Sequence, residues 1–110
     1  MLTITYRVGR DFRYRVSGRL TAAELRAYYR AVAEQSRRFG RLDLTVRVTG
    51  FRGYAGARAL VVFLTHEWRL PGRVRSYVAY ADQRWFVRLL RVAGAVVPGV
   101  RVRAIYEQPR

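Results

Sequence analysis

Few residues in this chain are equipped for covalent or acid–base chemistry. There is one histidine, His66, and no cysteine, so neither a thiolate nucleophile nor a disulfide framework can form. Ser17, Ser36 and Ser76 sit in no nucleophile-elbow context. His66 falls near the end of an apolar helical stretch, where the helix dipole favours a cationic imidazole; it reads as a surface or capping side chain rather than a general base. The seven acids, Asp11, Glu24, Glu34, Asp43, Glu67, Asp82 and Glu107, are dispersed, without metal-ligand spacing. Glycines at 50, 53 and 56 lack the Lys-Ser/Thr ending of a phosphate-binding loop and read as turn residues. The expectation is no catalytic residue, no metal, no cofactor and no enzyme.

What the chain has in excess is arginine. All 22 basic residues are arginine, and the formal net charge is +15. Such an excess opposes compaction and attracts polyanions: nucleic acid, anionic lipid or an acidic partner. A GC-rich coding bias would account for the missing lysine, but less well for the scarcity of acids. The chain is 51% hydrophobic, which excludes a disordered basic tail. Its longest apolar run, Ala59 to Leu64, is far short of the ~20 residues that span a bilayer. The N-terminal residues alternate like a strand and lack a secretory signal's charged start and apolar core. The expectation is a cytoplasmic protein of one domain over residues 1–110.

The arginines are placed by short alternating strands. Phe12-Arg13-Tyr14-Arg15-Val16 and Val100-Arg101-Val102-Arg103-Ala104 carry apolar residues on one face and arginine on the other. Strands are expected at 2–8, 12–17, 42–48, 74–80 and 100–106. Thr21 with Glu24 forms a capping box before a helix over 22–39, and Gly40 sits where a left-handed residue ends it. Further helices are expected at 56–68, broken by Pro71-Gly72, and at 83–93 with Asp82 as its cap. On the third helix Trp85, Phe86, Leu89 and Leu90 are assigned inward, with Arg84, Arg88 and Arg91 opposite.

The order ββαβαβαβ implies a mixed, mostly parallel five-stranded α/β sheet, with the first strand antiparallel at an edge. Alternating rather than continuously apolar strands put all three helices on one face. The open face should then carry Arg7, Arg13, Arg15, Arg47, Arg75, Arg101 and Arg103, a candidate polyanion-binding surface, with Tyr77 the one aromatic among them. The second helix is apolar nearly all round, so Leu60, Val61, Phe63 and Leu64 cannot all face one layer. They are candidates for burial between helices, for a homodimer or protein interface, or for an apolar-ligand groove shared with the third helix.

Element order, Leu44 to Gly53 and Val78 to Trp85 together resemble the SpoIIAA-like family, small bacterial proteins of the STAS type. Phe51, Gly53, Asp82 and Trp85 fit its short motifs, and Arg47 and Gly50 stand where family acids are usual. In the anti-sigma-factor antagonists of that superfamily a phosphorylatable serine opens the helix after the third strand. Here the stretch is Gly53-Tyr54-Ala55-Gly56, which has no such serine. The resemblance therefore implies a STAS-like regulatory or interaction module without a serine phospho-switch, and a fold similar to lipid-transfer domains. Three functions stay open: a non-catalytic module for a protein partner or second copy, a binder of nucleic acid or anionic lipid, and a carrier of a lipophilic ligand.

Overall fold

The computed structural model describes residues 1–67, 72–96 and 100–107. Their order is β1 (Leu2–Val8), β2 (Asp11–Leu20), α1 (Ala22–Phe39), β3 (Leu42–Tyr54), α2 (Gly56–Glu67), β4 (Val74–Ala81), α3 (Arg84–Val96) and β5 (Arg101–Tyr106). The strands lie side by side in chain order, β1 antiparallel to β2 and the rest parallel. Each parallel crossover steps in the same direction, so right-handedness puts all three helices on one face. The core lies between them and the sheet. Phe12, Tyr14 and Val16 of β2 and Leu42, Leu44, Val46 and Val48 of β3 meet Leu25, Tyr28, Tyr29 and Val32 of α1.

Local chemistry sets the ends of α1. The Thr21 side chain accepts from the Glu24 backbone N–H, and the Glu24 carboxylate accepts from the Thr21 N–H. The same carboxylate accepts from the Leu2 N–H at 2.6 Å, tying the helix start to the edge strand. Gly40, at φ 88°, closes the helix with its N–H on the Ser36 carbonyl at 2.8 Å, a backbone shape an L side chain resists.

β3 is longer than its alternation predicts. The glycine-rich stretch expected as a connection continues the strand and pairs with β2 as far as Leu20 with Tyr54. Gly50, at φ 57°, is the extra residue between the pairs Ser17–Thr49 and Gly18–Phe51; a bulge with glycine in the left-handed region keeps the ladder going. Asp82, expected as a helix cap, instead accepts from the Gly50 N–H at 3.0 Å.

Two register shifts overturn parts of the face assignment, since a one-residue slip moves every later side chain to the other face. Between Ile4 and Tyr6 the β1 pairing skips Thr5. Arg7, expected on the open face, therefore turns to the helix side, where it donates to Gln35 Oε1 at 3.3 and 3.2 Å and lies over the Phe12 ring. Tyr6 comes out on the open face under Arg13. The β3–β4 pairing likewise skips Arg75 between Leu42–Val74 and Asp43–Ser76. Tyr77 is thereby on the core side and Tyr80 on the open one, the reverse of the expectation.

Candidate binding surfaces

Residues paired across neighbouring strands share a face, so the open face reads in rows. One row is Val8, Asp11, Asp43, Ser76 and Arg101; the next is Tyr6, Arg13, Thr45, Val78 and Arg103; the third is Thr3, Arg15, Arg47, Tyr80 and Ile105. This surface is less cationic than its arginines promise. Arg13 holds Asp11 through two bonds of 3.1 and 2.8 Å. Arg75 holds Asp43 through bonds of 3.1 and 2.6 Å, and Ser76 donates to the same carboxylate at 2.7 Å. Arg47 meets Glu107 at 2.6 Å and lies over Tyr80.

The acids respond to this company. The hydrogen bond from Arg75, helped by Ser76 and by the charges of Arg75 and Arg10, outweighs burial and holds the Asp43 carboxyl below its ordinary value. Hydrogen bonding to Asp11 and to Asp43 raises the Arg13 and Arg75 guanidinium groups in turn. Each such pair neutralises itself and releases little on meeting a polyanion. Of the seven arginines expected to form the surface, Arg15, Arg101 and Arg103 are exposed without an acidic partner among the described residues.

The other end of the molecule differs. α3 packs on the edge strand β5 through Phe86, Val87 and Leu90. Trp85 and Leu89, expected inward, are exposed instead, at 54% and 57%, with Val92 at 67%. Spacings of four and three residues put these three on one stripe. Its apolar arc is wider than the helix can bury, so only one side of it reaches the sheet. Along one flank run Arg84, Arg88 and Arg91, all exposed, on a helix without an acid. Arg84 lies over the Tyr106 ring, and Arg91 donates to the Ala104 carbonyl at 3.1 Å. On the other flank the Trp85 and Phe86 rings lead to Phe51 and Tyr54 in a chain of edge-on contacts. Arg101 and Arg103 also lie on β5, but on the open face of the sheet, opposite to α3. This end of the molecule thus sets three arginines without an acidic partner among the described residues along an apolar stripe, a juxtaposition the inward assignment of Trp85 and Leu89 hides.

On α2, Ala59 and Val62 are buried and Val61 is 60% exposed. The helix does present apolar surface outward at Val61, while the side chains of Leu60, Phe63 and Leu64, and that of His66, lie outside the described residues. Inside the core a chain of phenols was also missed. Tyr28 donates to the Tyr14 hydroxyl at 3.0 Å, and Tyr14 and Tyr77 share a bond of 3.0 Å. Among the described residues no group of three or more His, Cys, Asp or Glu could hold a metal ion, and no helix is long and apolar enough to cross a membrane.

No protein-family model matches the chain, and no curated protein does. A solved structure does match: the crystal structure of an uncharacterized DUF3478-family protein from Shewanella loihica, with a SpoIIAA-like fold. It aligns at a TM-score of 0.72 over 99% of this chain and 87% of that one. This chain has the SpoIIAA-like fold. At 14% identity the likeness carries architecture alone, but it agrees with the resemblance read from the strand-three and strand-four segments. The SpoIIAA-like sheet here is five-stranded and mixed, as its element order implied.

Proposed function

We propose that this SpoIIAA-like protein is a non-catalytic interaction module that holds an anionic partner at the α3–β5 end. The observation that carries the reading is the exposed stripe of Trp85, Leu89 and Val92 beside Arg84, Arg88 and Arg91. A folded domain rarely leaves a Trp and two aliphatic side chains in line on one helix unless something covers them. The open sheet face is the second reading, favoured by Arg15 and by Tyr80 and Tyr6 among its arginines, since basic surfaces with stacking rings hold single strands. Its self-paired arginines place it behind α3–β5. For the second helix as a partner surface, the support among the described side chains is the exposed Val61.

Amide shift mapping with a simple polyanion such as heparin tests the choice. Perturbations grouped at 84–92 and 100–106 support the proposed end. Perturbations grouped at 13–15, 45–47 and 78–80 move the function to the open face, and perturbations confined to 57–62 move it to α2.

A further inference from the structure

We infer that the outer stripe of α3 is a contact ridge for an anionic membrane surface. Trp85, Leu89 and Val92 enter the headgroup layer, and Arg84, Arg88 and Arg91 hold lipid phosphates and carboxylates. The inference rests on the α3–β5 reading above and names its partner. Three observations carry it. First, the stripe is a ridge: its side chains project from one helix on the rim of the sheet and are more than half exposed. Second, it opens with Trp85, whose ring suits the boundary between headgroups and acyl chains. Third, its flank is cationic without a compensating acid on the helix, and long arginine stems let the charges stay in water while the stripe sinks. An interfacial helix has this division of faces, and insertion and charge must act together because either alone binds marginally.

Other occupants fit less well. A second copy packed on this ridge about a two-fold axis would set the same arginines against each other, on a chain of net charge +15. A nucleic acid would use the arginines but would leave Leu89 and Val92 in water. An acidic protein would need a groove matched to the ridge, whereas a lipid surface needs none.

The test is co-sedimentation with vesicles of phosphatidylcholine alone and of phosphatidylcholine with phosphatidylserine. It compares the native chain, Leu89→Ser/Val92→Ser, and Arg84→Gln/Arg88→Gln/Arg91→Gln. The serine pair keeps every charge, and both its sites are exposed, so folding is retained. The native chain is expected to bind the phosphatidylserine vesicles and not the neutral ones. The serine pair should bind about tenfold more weakly, and a blue shift of tryptophan emission on binding should vanish in Trp85→Ala. The inference is overturned if the native chain ignores phosphatidylserine vesicles. It is also overturned if the serine pair binds as well as the native chain, which means charge alone, or if that pair breaks a dimer. Arginine-dependent binding of poly-glutamate or an oligonucleotide without vesicle binding overturns the membrane and leaves the α3–β5 end standing. Arginine substitutions without effect on any of these anions overturn that end as well.

Discussion

The sharpest consequence of the ion-pair pattern is that location, not number, decides which arginines matter. Consider two variants that each remove three positive charges. One is Arg13→Gln/Arg47→Gln/Arg75→Gln, taken from arginines already bonded to Asp11, Glu107 and Asp43. The other is Arg88→Gln/Arg101→Gln/Arg103→Gln, taken from exposed arginines with no acidic partner among the described residues. Both have the same net charge, so long-range attraction changes equally. Each free arginine that neutralises a phosphate of a single strand contributes about 0.7 to the slope of log affinity against log salt. Three lost contacts lower the slope by about 2, so between 50 and 200 mM salt the variant's affinity falls roughly 20-fold less than that of the native chain. The paired set should leave the slope nearly unchanged, because its carboxylates already do the work of counterions. Fluorescence anisotropy of a labelled oligonucleotide across a salt series reads both, at a temperature where thermal melts show both variants folded. Equal slope changes in the two variants would refute the reasoning and reduce the arginines to bulk charge. A larger change in the paired set would show that the ion pairs open to meet the strand and that pairing does not silence an arginine.

Three further outcomes follow from the packing. Glu24→Gln should lose stability at neutral pH, since burial raises that carboxyl but its bonds from Leu2 and Thr21 and the nearby N-terminus outweigh burial and lower it. A lowered folded value adds stability above the unfolded carboxylate range and loses it as pH falls through the folded value, so melts from pH 7 to pH 2 should converge for the two proteins; parallel curves would rule this out. Tyr14→Phe removes the middle hydroxyl of the Tyr28–Tyr14–Tyr77 chain and should cost about 1–2 kcal/mol by urea denaturation, whereas an unchanged midpoint would show that the chain contributes nothing. Trp85→Ala should shift stability by less than about 1 kcal/mol because the ring is half exposed, while Phe12→Ala, at a fully buried ring, should cost about 3–5 kcal/mol; comparable losses would place Trp85 in the core.

What could be read beforehand follows a physical division. Period-two alternation in 12–16 and 42–48 placed the β2 and β3 core residues correctly because both segments keep one register through that stretch. The Thr21–Glu24 box was legible because its partners lie within one helical turn. Arg7 and Tyr77 were misplaced for the opposite reason: a skipped pairing at Thr5 or Arg75 is a negotiation between two strands, with no mark in either alone. Trp85 and Leu89 were misplaced because a helix whose apolar arc exceeds its contact leaves open which part meets the sheet, and that depends on how α3 lies on β5. The pairing of Arg47 with Glu107 joins residues 60 positions apart, beyond the reach of any local pattern.

The arginines of β5 have one more effect, on what the sheet may become. β5 ends the sheet, and such a border offers a row of main-chain groups on which a further strand can be templated. Here Arg91 already occupies the Ala104 carbonyl, and Arg101 and Arg103 alternate along the same strand. A like chain approaching that border would meet its own charges before its first hydrogen bond. The sheet is therefore terminated against fibre growth from this side, and concentrated solutions at low salt should stay clear until anions screen the border.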